Sequence, residues 1–424
     1  MKNVIAIAKK LQKIWKKTYI VGSFNVHKIL HKNFWSDYDL TTPATPDEIR
    51  SVLHVVWEIW SKYWTLIVKE WWQKFEITTF RKDIWSVNKR KPLEVIFTSS
   101  LEEDCIRRDF TFNAIYYDIL DWKYIDPTWG IEDIKNWIIR FVWNVNERLD
   151  EDILRILRYV RLKNKYNFTS IDNNYDEIIS SRISELQSLP SERIKQEFDK
   201  MLLDKTNIES LKDLKKFGFF REFLPQIDNL SRSPGGKIIH IEWDNWIHTL
   251  LSIKELNRLK CNDIDILWAT LLHDIWKYTT YEYNPEWNIH YYRHEEESVK
   301  MFKDYMIKVL PFSKKSIWKI SWLIKNHIRI WTIEEMKKLK KYHFMLNPYF
   351  KDLITLYIAD NLWKKPPDKK CWPRLQDLYS EFIEKFEKTH FFNWNDIMKM
   401  YPNLKWRGIW LKLKEENDKI LSDL

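Results

Sequence analysis

Apolar and polar residues alternate with a period of two from Thr65 to Lys69, from Phe75 to Phe80 and from Leu93 to Phe97, the spacing of half-buried strands. A β-branched run, Thr18 to Val21, adds a strand. It ends in the tight turn Gly22-Ser23, and a helix starts from Val26 to Lys32. Pro46 to Val55 has helical apolar spacing behind Thr45-Pro46-Asp47-Glu48, an N-cap signature. Further along, the period changes. Glu147 to Leu162 predicts one helix, with Asp152, Arg155 and Arg158 on a common face and Ile153, Leu154, Ile156 and Leu157 on the buried side. Ser170 to Leu230, Ile247 to Leu259 and Leu375 to Leu424 also read as helical. Breaks fall at Ser231 to Lys237, around Pro234-Gly235-Gly236, and at the Pro- and Lys-rich segment Lys364 to Pro373. The pattern predicts an α+β protein: a mixed sheet with helices over residues 1–140, then helical regions over 141–230, 238–365 and 366–424.

At 424 residues the chain is too long for one ordinary core. Hydrophobic and charged fractions of 45% and 31% are those of a soluble globular protein. A net charge of +10 points toward a polyanionic partner. Three widely spaced cysteines, Cys105, Cys261 and Cys371, with no C-x-x-C, fit a reduced, cytoplasmic setting. Met1 to Lys17 alternates lysines with short apolar runs and reads as a surface helix, not a signal peptide. No apolar run has the length of a membrane span, so no membrane association is expected.

Tryptophan and glycine usage is abnormal, with 25 Trp against 6 Gly. Several tryptophans occupy turn-like positions: Trp71-Trp72, Trp122, Trp129 before Gly130, and Trp143 before Asn144. Glycine is the default residue there because it alone takes positive φ freely. The distribution is that of a translation in which UGA codons, read as glycine by the organism, are rendered as tryptophan. The alternative is a Trp-rich protein.

Candidate chemistry begins at Trp35-Ser36-Asp37-Tyr38-Asp39. Residues two apart on a strand share a face, so Asp37 and Asp39 project side by side, and two close carboxylates call for a proton or cation between them. Oxygen ligands of this kind suit Mg²⁺. Glu76, on a strand of its own, either completes such a site or faces water. Gly22-Ser23, at a strand-turn-helix junction, can offer backbone N–H groups to phosphate. Arg107, Arg108, Asp109 and Asn113 combine guanidinium forks for phosphate with acceptors for ribose hydroxyls. Asp152 beside Arg155 has the donor and acceptor groups needed to read a base edge, or forms a surface ion pair. A basic stretch, Lys212 to Lys216, either follows RNA phosphates or is a solvated face. In the second half, His248, the pair His273-Asp274, His294, His327 and Asp360 all lie on helical patterns, and imidazole with carboxylate suits a catalytic metal centre.

The order of these motifs resembles the class II CCA-adding tRNA nucleotidyltransferases and bacterial poly(A) polymerases, a branch of the polymerase-β-like nucleotidyltransferases. The resemblance runs from about Tyr19 to Leu202. It implies a nucleotidyltransferase head in which Asp37 and Asp39 hold Mg²⁺, with Glu76 a candidate third carboxylate. It assigns Arg107, Arg108, Asp109 and Asn113 to the sugar and phosphates of the nucleotide. Asp126, Gly130 and Arg140 match a flexible D-P-x-x-G…R element. Glu151, Asp152 and Arg155, with Arg158 and Arg161 on the same helix, template incoming CTP and ATP. Ser191 to Phe198 is close to the family's neck helix. Where the family reads G-G-x-V-R-D, this chain reads Gly22-Ser23-Phe24-Asn25-Val26-His27-Lys28. Trp35, Trp71, Trp72, Trp129, Trp137 and Trp143 fall where relatives carry glycine or another small turn residue. The second half resembles an HD domain, with His248, His273, Asp274 and Asp360 as ligands of a divalent metal and His294 and His327 as the extra histidines of binuclear members. Trp276 stands at the glycine of its H-D-I-G-K. The expected activity is template-independent addition of CCA to the tRNA 3′ end, with HD phosphohydrolase activity as an open possibility. A poly(A) polymerase, a CC- or A-adding enzyme, and an RNA-binding protein with an inactive head are the alternatives.

Overall fold

Leu40, Leu66, Val68, Phe75 and Ile77 face one side of their strands and meet Val4, Ile7, Ala8 and Leu11 of the helix Lys2–Gln12 in one buried cluster. This is the core beneath the main sheet. The structure is a computed structural model that describes every residue except 33–37, 60–64, 86–91, 173, 233–243, 284–288, 292, 362–370, 402 and 424. The chain divides into two units, Met1–Phe219 and Phe220–Leu424.

The sheet of the first unit is built from β1 (Tyr19–Val21), β2 (Asp39–Thr42), β3 (Val55–Ile59), β4 (Thr65–Glu70) and β5 (Gln73–Thr79). A separate antiparallel ribbon joins β6 (Arg81–Trp85) to β7 (Pro92–Phe97). With β8 (Tyr116–Asp118) and β9 (Tyr124–Ile125), the main sheet runs β3-β4-β5-β2-β1-β8-β9. Only the β2–β5 pair is parallel, so the sheet is mixed as expected. The helix Pro46–Val52 starts in a capping box between Thr45 and Glu48, which satisfies two of its otherwise orphaned backbone donors.

Four expectations need correction. The helix expected over Pro46 to Val55 ends at Val52, where Leu53 turns extended and Val55 opens β3. The alternating pattern did not predict β6, which follows β5 almost without a break. Helical continuity from Glu147 to Leu162 fails, because one helix ends at Glu151 and the next begins at Arg155. Asp152 is extended (φ −146°, ψ 100°) and its carboxylate accepts from the Leu154 amide at 3.2 Å. This local bond competes with the helical ladder, and Asp152 therefore leaves the common helical face with Arg155 and Arg158. Nor is everything after the head helical. Ile138–Ile139 pairs with Thr169–Ser170, and Tyr281–Tyr283 with Ile289–Tyr291.

Beneath the helix Arg155–Tyr166 lies an aromatic core. Phe141 stacks on Tyr159 with centroids 5.8 Å apart, and Phe110 lies 4.9 Å from Phe141. The second unit is assembled from helices, including Asn245–Arg258, Ile264–Leu272, Lys314–Asn326 and Phe350–Asn361, whose apolar faces are buried against one another. Its last part, from Cys371, forms three further helices. No helix among the described residues is long and apolar enough to cross a membrane.

Candidate active site and metal centre

The parallel register of β2 and β5 sets Asp39 opposite Glu76 and Leu40 opposite Ile77. Because side chains alternate along a strand, the two carboxylates share one face while Leu40 and Ile77 enter the core on the other. Asp39 and Glu76 are both exposed. Asp37 lies outside the described residues. Gly22, at φ 73°, approaches so closely that a Cβ on it would sit 2.9 Å from Asp39 Oδ2. The helix Ser23–Ile29 starts directly from it. Lys28 covers the Tyr117 ring at 4.9 Å, and His27 meets Tyr166 edge-on at 6.1 Å. Burial pushes the Tyr166 hydroxyl up to about 12 against the opposing Arg161 charge, with smaller contributions from Asp204 and Asp39. The C-terminal end of the helix Arg155–Tyr166 therefore packs against the helix that starts at Gly22.

The N-terminal end of that helix meets the arginine pair. Asp104, fully buried, accepts from Arg107 Nε and Nη2 at 2.9 and 2.6 Å. It also accepts from Arg108 Nη2 at 2.9 Å and from the Tyr116 hydroxyl at 2.7 Å. Burial pushes the Asp104 carboxyl up, but Arg108 and Arg107 outweigh it and hold the group well below the usual carboxylate range. Asp109 accepts from Asn113 Nδ2 at 3.0 Å and from Arg158 Nε at 2.7 Å. Burial opposes its ionisation, yet Arg158 lowers its pKa to about 2. Arg155 is buried, donating to the carbonyls of Arg148 (2.6 Å) and Arg107 (2.8 Å) and to Glu151 (2.6 Å). One guanidinium thus ties the arginine pair to the turn at Glu151 and Asp152.

The helix Ser191–Leu202 braces this arrangement. Arg193 donates to Asp152 Oδ2 at 2.8 Å, and buried Glu197 accepts from Arg161 Nε at 2.7 Å. The D-P-x-x-G…R element closes the other side. Asp126 accepts from the amides of Gly130 (2.9 Å) and Ile131 (2.8 Å), and Asp133 links Arg140 (2.8 Å) to the Thr111 hydroxyl (2.6 Å). A Cβ on Gly130 would lie 2.3 Å from the Thr111 carbonyl oxygen, so only glycine permits this docking. Lys212–Lys216 forms the end of the helix Asn207–Lys216, where Lys216 pairs with Asp176 at 2.6 Å.

In the second unit, His248, His273, Asp274, His294, His327 and Asp360 are all buried within one cluster. His248 Nε2 stands 2.8 Å from Asp360 Oδ1 and 3.4 Å from His273 Nε2. Asp274 lies 3.3 Å from His273 Nε2, 3.2 Å from His294 Nε2 and 3.6 Å from His327 Nε2. The other ring nitrogens face backbone carbonyls: His273 Nδ1 to Thr270 at 2.7 Å, His294 Nδ1 to Tyr291 at 2.9 Å and His327 Nδ1 to Ile324 at 2.6 Å. A carbonyl only accepts, so the proton sits on Nδ1 and Nε2 is turned inward as a potential ligand, the usual arrangement of metal-binding imidazoles. Buried Asp274 Oδ1 and His294 Nε2 complete no hydrogen bond among the described residues. Two groups of three, His248-His273-Asp274 and Asp274-His294-His327, have donor atoms mutually within 4.8 Å and share Asp274. This donor set fits one or two divalent ions. Lys277 also contacts Asp274.

Three segments of the chain match known family models. Residues 18–140 match the poly A polymerase head domain, residues 170–230 the "Probable RNA and SrmB-binding site of polymerase A", and residues 246–364 the HD domain. A CCA-adding enzyme of Staphylococcus epidermidis is 37% identical over 223 residues, which is 51% of this chain and 55% of that protein. One from Staphylococcus haemolyticus is 33% identical over 251 residues, covering 59% and 62% respectively. These alignments span little more than half of the relatives' length. The fold is also that of a Bacillus stearothermophilus CCA-adding enzyme solved with CTP, at a TM-score of 0.70 and 18% identity, covering 100% of this chain and 93% of that one. A CCA-adding enzyme solved with ATP matches at a TM-score of 0.59 and 17% identity, covering 99% and 91%.

Three residues on which the site depends received no role from sequence. Asp104 is detectable as an acid three and four positions before two arginines. Arg193 and Glu197 lie four apart on a helix, but nothing local reveals which partners they meet.

Proposed function

We propose that this chain is a tRNA nucleotidyltransferase that adds C, C and A to a tRNA 3′ end from CTP and ATP without a nucleic-acid template. The observation that carries the reading is the continuous set of contacts from the Asp104-held arginine pair, through Arg155, to the braced Asp152. The proposed phosphate-binding cations and base-reading carboxylate belong to one connected set of contacts. Asp39 and Glu76, with Gly22 close beside, fit a hard divalent ion, since the space a Cβ would fill stays open next to the carboxylate. Mg²⁺ bound there by Asp37 and Asp39, with Glu76, would supply charge stabilisation for in-line displacement at the α-phosphate. Arg107 and Arg108 orient the triphosphate. Asp109, with Asn113, reaches the ribose. Asp152, on the turn that Arg155 ties down, rejects G and U by leaving their hydrogen-bonding groups unmatched. Four domains are proposed: head 1–140, neck and RNA-binding region 141–230, HD domain 238–365 and tail 366–424.

The decisive experiment incubates the purified protein, translated with glycine at UGA, with tRNA lacking its 3′ end and each labelled nucleotide. Incorporation from CTP and then ATP that stops after three residues supports the reading. Long A tails support a poly(A) polymerase, an alternative favoured by the match of residues 18–140 to the poly A polymerase head domain. Absence of any incorporation supports an RNA-binding protein with an inactive head. The histidine cluster supports a divalent metal centre, and release of phosphate from phosphorylated RNA ends by it would make the second unit a phosphohydrolase.

A further inference from the structure

Six exposed tryptophans have a backbone that suits a different residue. Among the described residues, ten non-glycine positions have positive φ, and Trp15, Trp71, Trp122, Trp129, Trp137 and Trp143 account for six of them, at φ 56° to 64°. Tryptophan supplies 25 of 424 residues, so chance would put fewer than one there. Left-handed backbone strains a large side chain and is normally left to glycine. Four of the indoles gain little burial in exchange: Trp15 is 90% exposed, Trp129 76%, Trp71 73% and Trp143 66%, while Trp122 and Trp137, at 56% and 39%, touch Tyr117 and Phe168 edge-on. Four of the positions also have a structural need for positive φ. Trp71 opens the two-residue turn between β4 and β5, where the first central residue of a tight hairpin requires it. Trp137 follows the helix Gly130–Lys135 and its amide closes back on Ile134, the place of a C-terminal glycine. Trp15 follows the helix Lys2–Gln12 in the same way. Trp122 turns the chain between β8 and β9.

Trp268 and Trp246 are the opposite case. Trp268 is fully buried inside a helix with its ring edge-on to Phe312 at 5.2 Å. Trp246 is 6% exposed against Phe220. Glycine at either would leave a cavity the size of an indole. A stacking platform for RNA bases would explain exposed aromatics but not positive φ, since stacking makes no demand on backbone hand.

We propose that the polypeptide carries glycine at positions 15, 71, 122, 129, 137 and 143 and tryptophan at 246 and 268. The two classes correspond to UGA codons decoded as glycine and to UGG codons. The inference is independent of the catalytic reading. Two experiments test it. In the gene, the six positions are expected to be UGA and the two buried ones UGG; UGG at the six would overturn the proposal. Mass spectra of peptides from the native protein are expected to show glycine at the six, and intact indoles there would overturn it. A full-length protein made with Trp15→Gly, Trp71→Gly, Trp122→Gly, Trp129→Gly, Trp137→Gly and Trp143→Gly is expected to melt several degrees higher than the all-tryptophan chain. Trp268→Gly is expected to lower the midpoint. Equal midpoints for the first pair would overturn the backbone argument.

Discussion

Arg193 donates to Asp152 Oδ2 at 2.8 Å, so a helix far along the chain sets the orientation of the carboxylate proposed to read the incoming base. Asp152 sits in a break between helices, where the Leu154 amide holds one carboxylate oxygen and Arg193 the other. A charge-assisted hydrogen bond of this kind contributes about 1.5–3 kcal/mol. Arg193→Ala is therefore expected to lower kcat/KM for CTP and ATP roughly tenfold and to raise incorporation of U and G. Single-nucleotide incorporation with all four nucleotides checks it. Unchanged selectivity would remove Arg193 from the base-reading assembly.

Asp104 positions two arginines at once. Asp104→Asn keeps the shape but leaves both guanidiniums without their buried counter-charge, which is expected to cost about 3 kcal/mol of stability. The expected kinetic signature is a rise of roughly tenfold in KM for the nucleotide with KM for tRNA unchanged. A purely structural role would shift both KM values together. Addition of CCA by the parent protein tests the catalytic reading separately.

Asp39→Ala is expected to abolish nucleotide addition while leaving tRNA binding intact, because the carboxylate lies at the proposed metal site and outside the core. Glu76→Ala, at the paired register position, is expected to weaken addition. Gel-shift and incorporation assays on the same preparations separate binding from chemistry. Retained incorporation in Asp39→Ala would refute the metal assignment.

Stability at low pH should report on Asp109. Its folded pKa is lowered to about 2 against an ordinary value of 3.8. The stabilisation, roughly 2 kcal/mol, is thus present above about pH 4 and is lost as pH falls toward 2. Asp109→Asn is expected to flatten this part of the pH profile followed by circular dichroism.

The histidine cluster is expected to hold a divalent metal whose content falls in His273→Ala and Asp274→Asn, while nucleotide addition by the first unit persists. Metal analysis by plasma mass spectrometry checks the first outcome and incorporation assays the second. Full metal content in both variants would exclude the cluster as the site.

Much of this protein is present in local sequence. Period-two alternation marks β4, β5 and β7, and the Thr45–Glu48 capping box marks a helix start, because both depend on residues within a few positions of each other. Asp104 with Arg107 and Arg108, and His273 with Asp274, are also local. The histidine cluster was legible as a set of residue types, but its geometry was not: His248 and Asp360 meet across 112 positions. The helix break at Asp152 escaped the apolar pattern because that pattern registers burial, and a side-chain bond to one amide overrides it without changing which residues are apolar. What the chain alone determined was its elements, its chemical inventory and its excess of tryptophan at turns. The pairing of Asp39 with Glu76, the bracing of Asp152 by Arg193, and the separation of strained from buried tryptophans were decided only by tertiary structure. Strand register, long-range ion pairs and backbone φ come from packing between distant segments, and no short window of sequence contains both partners.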